Sequence, residues 1–567
     1  MNRFNLEIFK KFWKIAKLYW FGDEKKGALT LLVLLGILSI AYTGLGLMLN
    51  QQRGNIISSL SAKSAERFQQ TILIFLGILV IYVPLFASFN YSQQKLGIFW
   101  RRWLTHSFLK NYFTDRAFYN IGNFSDKIDN PDQRISEDIK SFTQDSLRFL
   151  LIFVVSLLQI AGFSTQLWAI SPMLVLFLSV YAIAGTMITI GVFGKKLVKV
   201  NFDQLKKEAN FRFGLVRIRE NAESVAFYQG EAQESSKLKL LFHEVFNNFN
   251  LLILWQEIFL GLFTNAYEFI PFILPAVVVA PSVLSGEFEV GKVTEAQGAF
   301  LSVFGSLNVI VSQFTNLTGF AAGVDRLYDF AEYIEKSGKV DEEDDSLVER
   351  PTIETLQDSR LEIHNLTLKT PNYQKTLCRR LSLEVPSGQG LLIVGESGCG
   401  KSSLLRAIAG LWNSGSGVII RPPLEQMLFL PQRPYMILGT LRNQLLYPHA
   451  DTEIEDRKLL EIMDLVNLPD LPKRFGLDTE ADWSDVLSLG EQQRLAFARV
   501  LIANPPYAVL DEATSALDIN NEANLYKHLQ ETRTTFVSVG HRTSLNEYHH
   551  LLLRLSEGGS WEFKEIN

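Results

Sequence analysis

The 567-residue chain holds only two cysteines, Cys378 and Cys399. No disulfide framework can be built from them, and two thiols in one half of the chain read as reduced and cytosolic. A charge excess is also missing: 55 basic and 60 acidic residues leave −5, so no basic field invites nucleic acid. Charged residues are scarce altogether, 20% of the chain, and scarcest in its first three hundred or so residues, where long runs carry none. The first twenty or so residues lack an uncharged apolar core, so they are not expected to act as a cleavable signal peptide. With 47% hydrophobic residues and 41 phenylalanines, the uncharged runs carry the signature of a membrane domain. The length exceeds what a single core supports, so at least two domains are expected.

Residues 1–26 set Phe4, Phe9, Phe12, Trp13, Ile15, Leu18, Tyr19 and Trp20 among Lys10, Lys11, Lys14 and Lys17. That pattern predicts an amphipathic helix in the membrane interface, lysines toward anionic headgroups. Residues 27–335 predict a six-span domain, with spans at 27–50, 70–91, 147–170, 172–193, within 251–284, and at 296–320. The loops 93–146 and 195–250 hold eight and ten Lys/Arg, whereas 51–68 holds three and the turn before the sixth span only Lys292. The asymmetry places the long loops, both termini and the C-terminal half in the cytosol. The long loops have few breakers and are expected to continue the spans as helices. Residues 336–360, with the acidic run Asp341 to Asp345 and Pro351, read as a linker. From 361 to 567 strands alternate with helices, an α/β domain.

That domain is organised around Gly395-Glu396-Ser397-Gly398-Cys399-Gly400-Lys401-Ser402, which follows an apolar run and precedes a helical one beginning at Ser403. This is the strand, glycine-rich loop and helix of a phosphate cradle, with backbone N–H groups converging on the anion. Lys401 would reach the outer phosphates and Ser402 would ligate Mg2+. Cys399, beside that lysine and a helix N-terminus, is expected to be a reactive thiol that ATP protects. A second apolar strand ends in Asp511-Glu512, an acid pair suited to holding Mg2+ through water and polarising the attacking water.

Together with Gln432 after an apolar strand, the stretch Leu487 to Arg494, Ser515 to Asp518 and His541, these motifs resemble an ABC-transporter ATPase domain in order and spacing. The resemblance implies that Gln432 helps hold Mg2+ and couples that site to the membrane half. It also implies that Ser488 and Gly490 contact the γ-phosphate held by a second subunit, that Asp518 belongs to the D-loop, and that His541 is the switch histidine. Leu489 stands where glycine is usual and Glu491 where glutamine is usual. Tyr373 is the candidate for stacking on adenine. Pro431 to Met436, the ending Gly558 to Phe563, Asn130 to Asp138 and Asn221 to Tyr228 are similar to subfamily D. These are the half-transporters of peroxisomes and lysosomes, with bacterial relatives of the BacA/SbmA type fused to an ATPase.

The resemblance implies an exporter-like ABC fold acting as a homodimer in a bilayer, with ATP and Mg2+ as cofactors. It points to transport of a hydrophilic solute, cobalamin- or peptide-like, across a bacterial-type inner membrane. Transport of acyl-CoA, or a membrane regulator whose ATPase is uncoupled from any solute, is the alternative. Glu257, Gly261, Thr264 and Glu268 in the fifth span share one face at about 100° per residue. A carboxylate in the bilayer core should face water or a partner, so this stripe is expected to line the solute path.

Overall fold

The uncharged runs of the first three hundred residues can satisfy their backbone only within helices, and helices are what they form. The computed structural model describes residues 2–124, 131–309, 313–337, 351–449 and 453–566, and the chain divides into two units, Met1–Glu342 and Glu343–Asn567.

In the first unit, Asn2–Trp20 forms α1. It is followed by α2 (Lys25–Ser61), α3 (Ala65–Phe113), α4 (Ile139–Ile170), α5 (Pro172–Ile188) and α6 (Lys195–Glu220). Next come α7 (Glu231–Ile253), α8 (Gly261–Leu284), α9 (Gly291–Leu307) and α10 (Phe314–Ser337). Among the described residues five helical stretches are long and apolar enough to cross a membrane: Lys25–Ser61, Ala65–Ile121, Pro131–Ile170, Pro172–Phe193 and Glu231–Leu284. They contain the first five expected spans. The sixth, 296–320, falls on α9 and α10, with 310–312 outside the described residues. The 17 residues of α9 reach only about 26 Å at 1.5 Å each, short of a hydrocarbon core of about 30 Å. The 49 residues of α3 run about 74 Å, so the long loops do continue their spans as helices.

Several polar side chains inside this unit pair across helices, as a low-dielectric surrounding favours. Asn50 on α2 donates to the Glu295 carbonyl on α9 at 3.0 Å and to Gln166 Oε1 on α4 at 3.2 Å, and Ser306 Oγ donates to Gln159 Oε1 at 2.8 Å. Glu295 is buried and ion-paired with Lys292 at 2.8 Å. At Gly291 an added Cβ would sit 1.9 Å from the Gly54 carbonyl oxygen, so this crossing of α2 and α9 requires glycine.

Two expectations change. The fifth stretch is not a uniform α-helix: Leu254–Leu260 is a π-helical segment between α7 and α8. Its wider turn displaces Glu257 from the face that even α-helical spacing gives it beside Thr264 and Glu268. The lysines of α1 do not all face headgroups either. Lys11 Nζ pairs with Asp325 at 2.9 Å and Asp329 at 3.6 Å, and Lys14 Nζ donates to the Tyr328 hydroxyl at 3.1 Å, because α10 presents an acidic stripe to them.

The second unit holds a four-stranded and a six-stranded sheet among its described residues. The first has the order β1 (Glu354–Gln357), β5 (Gly415–Arg421), β2 (Leu361–Lys369), β3 (Thr376–Val385). Of the expected linker 336–360, residues 338–350 lie outside the described set, while β1 pairs in parallel with β5 and so joins the α/β domain. The second sheet follows the order β10 (Trp561–Glu565), β9 (Leu551–Leu555), β4 (Gly390–Gly395), β8 (Thr535–Val539), β7 (Tyr507–Asp511), β6 (Met427–Leu430). From β9 to β6 all neighbours are parallel, with Val537 opposite Leu391 and Val539 opposite Asp511. Central parallel strands are buried on both faces, which is why β4 and β7 read as near-continuous apolar runs and every residue of β8 is buried, Thr535 and Ser538 included.

Candidate functional site

Parallel strands bring their carboxyl ends to one edge of a sheet, where open α/β folds bind ligands. Here β4 ends in the loop 395–400, β7 in Asp511, β8 just before His541, and β6 just before Gln432. The loop turns through positive φ at Gly398 (81°) and Gly400 (103°), and a Cβ at Gly400 would lie 2.9 Å from Leu377 Cβ. Only glycine serves there. The helix α11 (Lys401–Ile408) starts at once, its free N–H groups under the loop. Glu396, Ser397 and Gly398 are exposed, Ser402 and Ser403 half-buried, and Lys401 buried.

Lys401 Nζ donates to the carbonyls of Gly395 at 2.9 Å and Glu396 at 3.0 Å. Among the described residues no carboxylate forms an ion pair with it. A buried ammonium held only by neutral carbonyls at an open loop is matched to an anion arriving from outside, which fits a phosphate chain. Beside it, Ser402 Oγ donates to Asp511 Oδ1 at 3.1 Å. Burial, and then the neighbouring Glu512, push the Asp511 carboxyl above the usual carboxylate range, against the bond from Ser402. A divalent cation between this hydroxyl and carboxylate would relieve that strain on the charged form, so the donor set fits Mg2+.

Glu512 follows at φ 49°, a left-handed conformation that aims it off the strand. Its Oε2 accepts from Gln432 Nε2 at 2.8 Å, and its Oε1 accepts from His541 Nε2 at 3.1 Å. The expected catalytic set Glu512, Gln432 and His541 is therefore one hydrogen-bonded group. Two supporting residues escape sequence reasoning. Gln493, fully buried, donates to the Gln432 carbonyl at 3.0 Å and to Ser515 Oγ at 3.2 Å, and accepts from the Ala516 N–H at 2.9 Å. Glu522, also buried, accepts from Thr514 Oγ1 at 2.8 Å and Ser544 Oγ at 3.0 Å, tying the segment after Glu512 to that after His541. The first had a signal in its place within the signature stretch; the second had none.

The remaining candidates stand apart from this group. Ser488 is exposed and caps α12 (Leu489–Ala503) in a reciprocal box with Glu491. Its Oγ and N–H both reach Glu491 Oε2, at 2.8 and 2.9 Å. Gly490 lies close to the Ala516 carbonyl, an added Cβ meeting it at 3.3 Å. Asp518 caps α13 (Ile519–Glu531) through the Asn521 N–H at 2.9 Å. Tyr373 sits at φ 59° in the turn between β2 and β3, its hydroxyl donating to the Pro351 carbonyl at 3.1 Å. Cys399 is a correction: it is 3% exposed and packs in the core beneath the loop, its Sγ under Gly395. Aqueous thiol reagents have no access to it there, so burial replaces the expected reactivity. In the membrane unit Glu268 and Glu257 are exposed, and Thr264 Oγ1 donates to the Leu260 carbonyl at 3.0 Å. The face of α8 that packs is Tyr267, Pro271, Pro275 and Val279, one residue round from Glu268.

The carboxylate at Glu491 puts a negative charge on the very serine expected to meet a phosphate. Glutamine at that position keeps both hydrogen bonds to Ser488 and removes the charge. Glu491→Gln is expected to raise ATP turnover about two- to fivefold with an unchanged thermal midpoint, the scale of one screened charge. A fall in turnover would show that the carboxylate is needed.

Comparison with known proteins agrees with this geometry. Residues 15–284 match the family ABC transporter transmembrane region 2, and residues 378–515 match the family ABC transporter. The chain is 46% identical over 539 residues to an ABC transporter ATP-binding protein of Synechocystis, covering 94% of this chain and 81% of that protein. It is 38% identical to ABC transporter D family member 2, chloroplastic, of Arabidopsis thaliana, covering 99% and 88%. It is 32% identical to the lysosomal cobalamin transporter ABCD4 of Homo sapiens, covering 100% and 97%.

Proposed function

Because the chain belongs to the ABC transporters, among the D-family half-transporters, we propose that two copies pair and use Mg2+ and ATP to move a hydrophilic solute of the cobalamin or peptide class. The coarser activity, ATP hydrolysis coupled to transmembrane transport, follows from the family itself.

In the chemistry we propose, Lys401 and the loop N–H groups orient the phosphates, while Ser402 and Asp511 hold the cation, which supplies charge neutralisation when bound. Glu512 positions and polarises water. Gln432 and His541 lock its two oxygens, so the carboxylate needs little reorganisation. The signature serine supports the pairing. Ser488 is exposed, and its side-chain bonds go to Glu491 rather than to the loop 395–400 of its own chain. A second copy would bring its own Ser488 and Gly490 to that loop. The excess of Lys/Arg in the two long loops supports a cytosolic ATPase unit and cytosolic termini, and the similarity to a Synechocystis protein favours a bacterial inner membrane.

The observation that carries the solute class is the full-length similarity to a protein whose name specifies cobalamin. Proteoliposomes offered labelled cobalamin, a proline-rich peptide and an acyl-CoA test it. ATP-dependent flux of either of the first two is expected. Flux of the acyl-CoA alone, or ATP hydrolysis with no flux, would replace the reading with a lipid-acyl transporter or an uncoupled regulator. Glu268 is our candidate for solute contact, since an exposed carboxylate on a spanning helix is costly unless water or a partner meets it. Glu268→Gln is expected to cut flux about tenfold or more while basal ATPase persists, the loss of one charged hydrogen bond. Normal flux in that variant removes Glu268 from the path.

A further inference from the structure

Only part of α1 is satisfied by the protein. Ile15, Ala16 and Tyr19 are buried against α3, with Tyr19 stacked on Trp100 at 5.6 Å. Lys11 and Lys14 are engaged by Asp325, Asp329 and Tyr328 of α10. An adjoining sector is uncovered: Phe9 is 63% and Trp13 45% exposed, and Phe21 packs on Trp13 at 6.0 Å while itself exposed. Phe9, Trp13, Lys17 and Lys10 fall within a sector of about 100° on the helix. Among the described residues neither Lys10 nor Lys17 makes an ion pair. Lys17 also borders a groove whose far wall carries Glu332 and Glu335, whereas Lys10 does not, so Lys10 carries the larger share of free positive charge.

The covalent chain says what covers this face. Only the turn 21–24 separates α1 from α2, the first span, whose exposed opening residues are Lys25 and Lys26. The face is therefore held at the edge of the bilayer. Adjacent aromatic rings and ammonium groups, four lysines against Asp23 and Glu24 of the turn, match the acyl boundary and an anionic headgroup layer.

We propose that this face of α1 binds an anionic lipid surface, and that the bond of its other face to α10 makes ATP hydrolysis depend on that lipid. The link is direct. Lys11 and Lys14 grip Asp325, Tyr328 and Asp329, and α10 is the last described helix before the ATPase half of the chain. The proposal rests on reading α2 as a span and the second unit as an ATPase.

The test uses the full-length protein in phosphatidylcholine vesicles with and without phosphatidylglycerol. ATPase is expected to rise about fivefold or more with phosphatidylglycerol, since each lysine at an anionic surface contributes about that factor. Added salt should erase the rise. In Lys10→Ala/Lys17→Ala the rise is expected to vanish while activity in phosphatidylcholine stays at the wild-type level, and Lys10→Arg/Lys17→Arg should restore it. Lys11→Ala should lower the rise with the membrane-facing residues intact. An undiminished lipid response in the double alanine variant, or a flat response in the wild-type protein with normal basal ATPase, overturns the proposal and leaves the transporter reading standing. Absence of ATPase in every vesicle would instead strike at that reading.

Discussion

Glu512→Gln is expected to bind ATP with wild-type affinity and hydrolyse it about 10²–10⁴-fold more slowly, the usual contribution of a positioned base. Both carboxylate oxygens are spoken for, one by Gln432 and one by His541, so the side chain is fixed before any nucleotide arrives. An amide has the same shape. Its oxygen still accepts from Gln432 Nε2, and its NH2 still meets His541 Nε2 when that nitrogen carries no proton. What it cannot do is draw a proton from water. Nucleotide affinity measured beside single-turnover hydrolysis separates the two effects. Hydrolysis within a few-fold of wild type would remove Glu512 from the chemistry and leave it as a spacer between Gln432 and His541. His541→Ala then becomes informative, since it frees one oxygen of Glu512 without touching the loop or the cation ligands.

How much of this could be read in advance depends on how local each feature is. The loop 395–402 was legible because its chemistry is written in eight consecutive residues between a strand and a helix. The membrane unit was legible because hydrocarbon forces every backbone group into a helix. That Gln432, Glu512 and His541 share hydrogen bonds is a product of strand order, with β6, β7 and β8 side by side and parallel. The resemblance supplied that grouping; spacing along the chain could not. Glu522 was invisible for the same reason: nothing near it in sequence announces that Thr514 and Ser544 will converge on it. Other misses come from direction. Cys399 lies in the loop but points into the core, and no motif specifies which way a side chain turns. Counting at 100° per residue put Glu257 in line with Glu268, and the π-helical segment Leu254–Leu260 broke the count. The sequence of α1 shows an amphipathic mix of aromatic and basic residues, yet Ile15 and Tyr19 turn into the protein and not toward lipid. Which lysines belong to which face was decided by the acidic residues of α10, three hundred or so positions away.

The second large effect lies at Lys401, and it should fall on binding. Lys401→Ala is expected to weaken ATP affinity about a hundredfold or more, the value of losing charge-assisted hydrogen bonds worth about 3 kcal/mol. The ammonium is buried and rests on the carbonyls of Gly395 and Glu396, so no side-chain reorganisation is needed before it meets a phosphate oxygen. Truncation also removes the lysine donor from both carbonyls, that of Glu396 keeping the Cys399 N–H at 3.4 Å, which costs about 1–3 kcal/mol, or a few degrees in a domain of this size. The thermal midpoint without nucleotide therefore decides how the loss of affinity is read. A midpoint within a few degrees of wild type, with ATP binding gone, places the lysine's role on the phosphate. A collapse of the midpoint would make it a bolt holding the loop closed, and wild-type affinity in the alanine variant would end the assignment. Arginine is a poor substitute at this position. Its planar fork needs more room than two carbonyls at 2.9 and 3.0 Å leave for a point charge, so Lys401→Arg is expected to bind ATP nearly as weakly as alanine does.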